Sequence, residues 1–422
     1  MSSQIRPNQV ELSSLVLTNF AGKSLDISKV FSRIEIEEDL FSSALNGRIS
    51  IVESQDFQQT FPLLGEETLS IKFRTYADQP WQNQTFYCYR MSDKIPIGQM
   101  MGYTLHFSST EFVISRMGRV NRPFKSFAPE KIISSVLSTE VGSTKKLFSS
   151  KTANNIDIIA TNLHPFTFLS SVISRAKGAK YGDYGYVFFE SMDGYHFQTI
   201  DELIDTKPIP YILTSRSGVV KEDNQLLTIN AYTVDENHNI VDRMDDGTYG
   251  SEVVVFDPRK RIQKSNNFDY FNDSDYSRLN NVAGQSPKKR IHTSHFKFKD
   301  ANNRSMMVES GPRSDGKPLR QARINILNSG FRMRVEVPGN SELHVGNTID
   351  LSWPSHSGED IEMGIKKEDR FIAGKYLNIS MMHVIERTAV TNYTCTCEWV
   401  KDSFERNFEE NQEKLNKRIQ AI

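Results

Sequence analysis

The amino-acid sequence predicts a mainly β fold with an α+β insertion, made of two β-barrel or sandwich units, a helix-plus-hairpin middle unit and a C-terminal helix. Two stretches, residues 12–118 and 322–403, alternate apolar and polar side chains with a period of two, as half-buried antiparallel strands do. Between them, residues 161–205 change to helical spacing and then to a hairpin pattern. The 422 residues suffice for two to four domains of about 100–200 residues each.

The first predicted β unit spans residues 1–118. Isoleucine and glutamate alternate over residues 34–37, and the same period recurs over residues 69–74. Asn46–Gly47 predicts a turn, and Glu111–Ser115 predicts one more strand near the end of the unit. Roughly six short strands in about 100 residues are typical of a sandwich or a barrel.

The middle unit is predicted over residues 119–208. Pro165 suits the first position of a helix because it lacks an N–H group, and Tyr186–Phe189 has the aromatic and β-branched residues of a strand. Asp193–Gly194 is a strong two-residue hairpin signal. The stretch contains no evident set of nucleophile, base and orienting group, so we interpret it as a packing element. Its predicted core consists of Phe166, Leu169, Phe188, Phe189 and Phe197.

The second β unit is predicted from two separate pieces, residues 209–256 and 322–403. The intervening residues 257–321 are rich in Asn, Asp, Ser, Lys and Arg, which predicts an irregular insert or an extended arm. Residues 404–422 predict a C-terminal amphipathic helix, and the sequence leaves open whether it packs on its own chain or on a partner. The apolar stripe of that helix consists of Phe404, Phe408, Leu415 and Ile419.

Composition narrows the possible function classes. The chain has 51 Lys and Arg against 52 Asp and Glu and a formal net charge of -1, which argues against a general nucleic-acid or membrane-surface binder. No run of about 18 apolar residues is present, so no membrane-spanning segment is expected. The three cysteines, Cys88, Cys395 and Cys397, and an N-terminus without a signal-peptide pattern are typical of a protein made in a reducing cytosol.

Two short patterns resemble the beginning of a ligand site but lack the remaining residues. Gly22–Ser24 ends like a phosphate-binding loop, yet Leu17 stands where the pattern requires glycine, so a surface turn is expected. Cys395 and Cys397 lie on one face of a predicted strand, but no second cysteine pair accompanies them, so core positions are expected. The sequence therefore predicts neither a metal nor a cofactor.

Other polar patterns are more typical of solvated surface than of a site. Glu37–Asp39 offers paired carboxylates for sugar hydrolysis, but no apolar pocket is evident to raise a pKa, so a solvated turn is expected. His292 and His295 lack carboxylate or cysteine partners at ligand spacing, and Pro287–Arg290 is a short basic run in a balanced chain. We therefore predict no catalytic residue and no enzymatic activity.

Three blocks of sequence carry a resemblance to a known family. The first is LFSSALNGRISIVESQDFQQTFPLLGEETLSIKF at residues 40–73, and the second joins NRPFKSF at residues 121–127 to the stretch 161–205. The third is VEVPGNSELHVGNTIDLSWPS at residues 335–355, and smaller matches follow it at Gly374–Leu377, His383 and Glu398–Asp402. In this order and spacing the blocks resemble the baseplate hub proteins of contractile-tailed phages of the T-even type, over about residues 30–403.

The resemblance implies a structural virion protein of the tail baseplate, assembled in the cytoplasm of the host. In that family two β-barrel-like domains share the fold of tail-tube subunits, and three chains make a pseudo-six-fold ring with a lumen for DNA passage. The chain would then be a homotrimeric adaptor between the six-fold tail tube and the three-fold central spike. Its partners would be the spike, tube or tube-initiator proteins and baseplate wedge proteins.

The family also places the middle unit outside the ring, where it helps to hold the trimer. The insert at residues 257–321 has no counterpart in the resemblance, and no residue of a partner interface is predicted. Two alternatives remain at this point, namely a tail-associated cell-wall hydrolase and the hub of a related contractile injection particle.

Overall fold

The computed structural model describes residues 8–54, 57, 61–75, 80–180, 184–213, 226–236, 250–257, 262–269, 293–298, 320–354 except 322, 326 and 329, 369, 372–388 and 391–401. Within them the fold is mainly β, with one large sheet, three small sheets and several short helices, which confirms the predicted fold class. No helix in this part of the chain is long and apolar enough to cross a membrane.

The described strands of the first β unit are β1 (Glu11–Thr18), β2 (Ser24–Asp26), β3 (Phe31–Asp39), β4 (Asn46–Glu53), β5 (Glu67–Arg74), β6 (Gln82–Ile97) and β7 (Met100–Ser109). They pair in the order β2-β1-β5-β6-β7-β4-β3, and each pair is antiparallel. Every second residue of β5 is buried, starting with Glu67. The alternation in the sequence is therefore the alternation between the core and the outer face.

The prediction of a turn at Asn46–Gly47 is wrong, because both residues lie in β4 between β3 and β7. A Cβ atom on Gly47 would collide with the backbone oxygen of Glu35 and the ring of Phe107. Glycine is required here for the close approach of neighbouring strands, not for a reversal of the chain.

The described elements of the middle unit are α1 (Thr110–Met117), β8 (Pro123–Phe127), α2 (Pro129–Val136) with a π-helical turn after it (Leu137–Val141), β9 (Leu147–Ser149), β10 (Ile156–Ile159), α3 (Pro165–Ile173), β11 (Tyr186–Ser191), β12 (Gly194–Thr199) and α4 (Ile200–Ile204). Strands β8 and β10 form one small sheet, and β11, β12 and β9 form another.

The strand predicted over Glu111–Ser115 is also wrong, because these residues belong to α1. Glu111 and Ser115 are the buried residues of this helix, four positions apart on one face. The carboxylate of Glu111 accepts a hydrogen bond from Lys145, and the hydroxyl of Ser115 accepts one from the backbone N–H of Phe166. These contacts with distant residues stabilise the helix. A pattern of five residues could not have predicted them.

The remaining described strands are β13 (Ile209–Leu213), β14 (Thr228–Ile229), β15 (Ala231–Glu236), β16 (Gly250–Asp257), β17 (Ile262–Asp269), β18 (Thr293–Phe298), β19 (Phe331–Pro338), β20 (Thr348–Ser352), β21 (Gly374–Arg387) and β22 (Thr391–Lys401). Strand β16 pairs with β17 and β18 in a small sheet separate from the large one. The prediction of irregular structure over residues 257–321 is therefore wrong for β17 and β18. These strands lack a clear apolar period, and they are held by backbone hydrogen bonds to β16.

Strand β21 joins the two β units into one continuous sheet. Its first residues, Gly374–Leu377, pair with β20, and residues 380–386 pair with β3 of the first β unit. Strand β22 pairs with its other edge. The resulting sheet has 14 described strands and one hydrophobic core that includes residues of both β units. Hydrogen bonds on both sides of one long strand fix the two units relative to each other.

The middle unit is attached to this core through β11, whose six residues are all buried. Val187 and Phe189 belong to the core of the large sheet, whereas Tyr186 and Phe188 belong to a second core within the middle unit. Alternate side chains of a strand point to opposite faces, so β11 separates the two cores and contributes to both. The structure confirms the predicted core, since all five side chains named in advance are buried: Phe166, Leu169, Phe188, Phe189 and Phe197.

We expect Phe189→Asp to abolish soluble folded protein, because an unpaired carboxylate would replace a fully buried ring at the boundary of the two cores. Recovery of soluble protein and its thermal unfolding provide the measurement. Phe20→Asp is the matched control, since that ring is 55% exposed and its replacement should leave the yield unchanged. A Phe189→Asp variant with normal yield and melting temperature would show that β11 does not hold the middle unit in place.

Candidate functional site: a buried junction of charged groups

The carboxylate of Glu38 is fully buried at the end of β3. The expectation of a solvated turn over Glu37–Asp39 is therefore wrong for this residue, although Glu37 itself is exposed. Strand β3 extends to Asp39, and Glu38 follows Ile34 and Ile36 on the inward face of the sheet. The pleat of the strand thus carries an acidic side chain into the core.

Four donors from separate parts of the chain converge on Glu38. Its Oε1 atom accepts hydrogen bonds from the backbone N–H of Met192 at 2.9 Å and from the rings of His344 and His383 at 3.4 Å each. Its Oε2 atom accepts one from the backbone N–H of Val345 at 3.0 Å. We call these five residues the buried junction. It connects the first β unit with the hairpin of the middle unit and with the second β unit.

His344 lies between two carboxylates, with Nδ1 3.4 Å from Glu38 and Nε2 3.0 Å from Asp193. An ionised carboxylate can only accept, so both ring nitrogens must carry hydrogen and His344 is an imidazolium. Burial lowers the pKa of His344, but the hydrogen bonds and charges of Asp193 and Glu38 more than offset this and raise that pKa to about 10. Burial acts to raise the pKa of Glu38, yet His344 and His383 hold it well below its usual range.

His383 completes the junction from β21. Its Nδ1 atom lies 2.7 Å from the hydroxyl of Tyr393 and 3.6 Å from the sulfur of Cys395, while Nε2 faces Glu38. Burial lowers the pKa of His383, but the Cys395 sulfur and the Glu38 carboxylate more than offset this and raise that pKa to about 9. The predicted core positions of Cys395 and Cys397 are confirmed. Burial raises the pKa of Cys397, so its thiol stays protonated.

A second buried cluster ties the middle unit to the first β unit. Glu190 Oε1 accepts a hydrogen bond from Lys145 at 2.5 Å, and Oε2 accepts from the hydroxyl of Ser109 at 2.6 Å and the backbone N–H of Leu45 at 3.1 Å. Lys145 also donates to Glu111 at 2.8 Å. Burial lowers the pKa of Lys145, but Glu190 and Glu111 more than offset this and raise that pKa, so the ammonium form is favoured.

Both clusters orient segments of chain, and the carboxylate at the centre of each is buried. Glu38 and Glu190 have no solvent-accessible surface, and both oxygens of each carboxylate accept hydrogen bonds. A general acid or base must reach the proton that it transfers, and these groups are closed off by the packing of the units. What the arrangement does is fix three parts of the chain in one orientation.

The other candidate residues that the structure describes lie on elements outside both clusters. Gly22–Ser24 lies at the β1–β2 connection, where Asn19 Oδ1 accepts hydrogen bonds from Ala21 and Lys23, so the expected surface turn is confirmed. His295 lies in β18. In the part of the chain that the structure describes, no three His, Cys, Asp or Glu residues are placed to hold a metal. Three of the sequence patterns lie outside the described residues, namely His292, Pro287–Arg290 and the Phe404–Ile419 stripe.

Sequence reasoning missed the buried junction because its members are far apart in the chain. Glu38 is separated by 306 residues from His344 and by 345 residues from His383. The sequence did contain one signal: Glu38 follows Ile34 and Ile36 at every second position of β3, which places its side chain on the buried face. An acidic residue in phase with core residues predicts burial, and its partners follow only from the fold.

We expect Glu38→Gln to lower the free energy of unfolding by about 3–5 kcal/mol, because it leaves the buried imidazolium of His383 without a carboxylate partner and that of His344 with Asp193 alone. Urea denaturation followed by circular dichroism gives the value. Glu37→Gln is the matched control, since Glu37 is the exposed neighbour on the same strand and should change stability by less than about 0.5 kcal/mol. Equal stability of the two variants would contradict the role assigned to Glu38.

Stability should also fall at alkaline pH through the two histidines. Their ordinary pKa is 6.5, and the folded values are about 10 for His344 and about 9 for His383, so the folded chain binds more protons above neutrality. Their contribution is complete below pH 6.5 and is lost as the pH rises through about 9 and 10. Urea denaturation at each pH should show this loss in wild type and Glu37→Gln, and less of it in Glu38→Gln. A flat wild-type profile would exclude charged histidines.

No protein-family model and no curated protein matches the chain. Several solved structures, however, are similar to this chain. The tail protein from Neisseria meningitidis MC58 is similar over 92% of this chain and 96% of its own, with a TM-score of 0.55 and 11% identity. The 43 kDa tail protein of prophage MuSo2 from Shewanella oneidensis is similar over 92% of this chain and 98% of its own, with a TM-score of 0.52 and 11% identity.

A chain of the PdpA–VgrG complex in its lidless form is also similar, over 96% of this chain and 67% of its own, with a TM-score of 0.51 and 8% identity. At such identities the likeness concerns the fold and not the chemistry. The large sheet and the middle unit together thus form a fold that is also found in these two tail proteins and in a chain of the PdpA–VgrG complex.

Proposed function

We propose that this chain is a structural component of a phage tail and, within the tail, the homotrimeric baseplate hub that adapts the six-fold tube to the three-fold spike. The observation that carries the proposal is a likeness of fold over nearly the whole length of two tail proteins, one of them from a prophage. The hub in particular is supported by the sequence blocks that resemble T-even hub proteins.

Two of those blocks contain residues of the buried junction, and the first begins directly after it. Residues 40–73 begin directly beyond Glu38 and Asp39, residues 161–205 contain Met192, and residues 335–355 contain His344 and Val345. Junction residues thus lie in two of the three blocks, which supports a shared placement of the units.

The architecture also supports a role as a symmetry adaptor. Three copies of a chain that carries two β units present six β units around one axis, provided that the two units keep a fixed orientation. Strand β21 supplies that fixed orientation through its pairing with β20 and with β3. A closed ring of this kind is held by heterologous contacts repeated around the axis. Under this proposal, the middle unit lies outside the ring as a support and DNA passes through the lumen.

The likeness to a chain of the PdpA–VgrG complex favours a second candidate, the hub of a related contractile injection particle. Both candidates assign the same role to the chain and differ in the particle that carries it. The particle with which the chain co-purifies distinguishes them, because a phage tail is joined to a DNA-filled head and an injection particle is not.

The proposal is tested by isolating particles from cells that express the chain with an affinity tag, and by counting its copies by quantitative mass spectrometry. We expect three copies per particle, together with tube, spike and wedge proteins. Light scattering and a zymogram on peptidoglycan complete the test. Absence from any tail-like particle, or a stable monomer that clears cell wall, would overturn the proposal and favour the hydrolase alternative.

A further inference from the structure

The middle unit carries an excess of positive charge. Residues 112–180 contain eleven Lys and Arg against three Asp and Glu, a surplus of eight positive charges in a chain whose formal net charge is -1. The balance of the whole chain therefore does not extend to this region. A surface with one sign of charge attracts partners of the opposite sign and speeds their association, so the region favours an anionic partner.

Part of this region is a two-stranded antiparallel ribbon made of β8, β10 and the residues that flank them. Strand β8 pairs with β10, and a bridge between Val120 and Leu163 continues the pairing beyond the strands. Residues 120–127 and 156–163 thus run side by side. Such a ribbon has an inner face and an outer face, because successive side chains of an extended chain point to opposite sides.

The two faces of the ribbon differ in burial. On the inner face, Val120, Phe124 and Ile158 are buried in the core of the middle unit. The outer face is exposed at alternate positions, beginning with the residue before the ribbon: Arg119, Asn121, Pro123, Lys125, Ile159 and Thr161. The described part of the chain therefore leaves this face open to solvent. We call it the basic face.

The basic face has an apolar centre between two cations. Ile159 lies directly opposite Pro123 in the register of the ribbon, and its side chain is 66% exposed. Arg119 lies four residues before Pro123 and Lys125 two residues after it, so about 20 Å of extended chain separates the two cations. One exposed apolar residue alone needs no explanation, but an apolar centre with a polar rim is typical of protein–protein interfaces.

The two cations of the basic face are not neutralised within the described part of the chain. Arg122, whose side chain lies on the inner side of the ribbon, forms an ion pair of 3.5 Å with Glu140. No carboxylate among the described residues lies within ion-pair distance of Arg119 or Lys125. The guanidinium of Arg119 donates a hydrogen bond of 3.3 Å to the backbone oxygen of Asn162, which holds it beside the ribbon.

The carboxylate of the basic face, that of Asp157, serves the ribbon itself. Its Oδ1 atom accepts a hydrogen bond of 2.7 Å from the backbone N–H of Ser126, which has a positive φ of 55°. The register of the ribbon shifts at this point, between Ile156 and Ile158. Asp157 thus stabilises the irregular end of β8, and the basic face keeps a net positive charge.

The chemistry of the basic face favours an acidic protein segment over the other anionic partners. A phosphate backbone is attracted by cations but offers no apolar group to Ile159, and insertion into lipid requires a broad apolar face. A protein segment supplies carboxylates and apolar side chains together. We propose that the basic face docks an acidic segment of a partner protein, whose carboxylates contact Arg119 and Lys125 and whose apolar side chain covers Ile159.

The first test uses Ile159→p-benzoylphenylalanine, a photo-cross-linking substitution, in the full chain and in the cells that naturally produce it. We expect an adduct with a protein segment that has carboxylates on both sides of the cross-linked residue, identified by mass spectrometry. Leu64→p-benzoylphenylalanine is the matched control, because Leu64 is 67% exposed in the first β unit and should not give this adduct. An adduct with DNA, phospholipid, a second copy of this chain or a basic segment, or no adduct, would overturn the inference.

The second test reverses the charges of the basic face. Arg119→Glu/Lys125→Glu should lower the yield of the adduct at least about tenfold, because two attractions become repulsions. Lys23→Glu/Lys29→Glu is the matched control, since it makes the same charge change at two exposed residues of the first β unit and should leave the yield unchanged. All four side chains are exposed, so the melting temperatures should equal that of wild type.

The charge reversal can also be compensated in the partner. Replacement of the flanking carboxylates of the cross-linked segment by lysine should restore the adduct with Arg119→Glu/Lys125→Glu. Arg119→Gln/Lys125→Gln removes the charges without repulsion and should lower the yield less than the reversal does. Equal yields for the reversal and its control, or a yield that the lysine segment does not restore, would contradict the proposed contact.

The third test exposes the purified full chain to random duplex DNA and to vesicles of phosphatidylcholine and phosphatidylglycerol. We expect Arg119→Glu/Lys125→Glu and Lys23→Glu/Lys29→Glu to bind each probe equally weakly. Binding that only the first variant loses would assign the basic face to phosphate groups and overturn the inference. The proposed ring fails separately, because a chain that is absent from tail-like particles but gives the acidic adduct would overturn the proposed function alone.

Discussion

The carboxylate of Glu38 is the constraint on which the arrangement of this chain depends. A buried anion is costly unless donors surround it, and here the donors come from the hairpin of the middle unit and from the second β unit. Separation of the units would break these hydrogen bonds and ion pairs and would expose the surrounding apolar surface to water. We infer that the charged contacts and the hydrophobic packing together favour one relative orientation.

The packing of β11 also fixes the middle unit relative to the large sheet. Its two faces contribute to two different cores, so the middle unit cannot detach without exposing Phe189 and Val187. Glu190 on the same strand adds the ion pair with Lys145 and the bonds to Ser109 and Leu45. Together with β21, which pairs with both β units, these contacts hold the large sheet and the middle unit in one fixed arrangement. The proposed ring would require such rigidity, because a hinge between the units would break the symmetry of the ring.

The sequence predicted much of the fold because the β units follow a period of two and the middle unit ends in an Asp193–Gly194 hairpin. It failed where a local pattern competes with distant contacts, as in α1, whose buried Glu111 binds Lys145. It failed at Gly47 because close strand approach and turn formation both require glycine. The buried junction could not be predicted from the sequence, because the partners of Glu38 lie hundreds of residues away and only the folded chain brings them together.

Native-state hydrogen exchange of the amides of Met192 and Val345 tests the central claim most directly. Both amides donate to Glu38, so they report the opening of the junction from two different units. If the units form one cooperative body, both amides exchange only through global unfolding, with equal free energies of opening. In Glu38→Gln, the Met192 amide should exchange through a separate, lower-energy opening. Fast exchange of Met192 in the wild type, independent of Val345, would contradict the account.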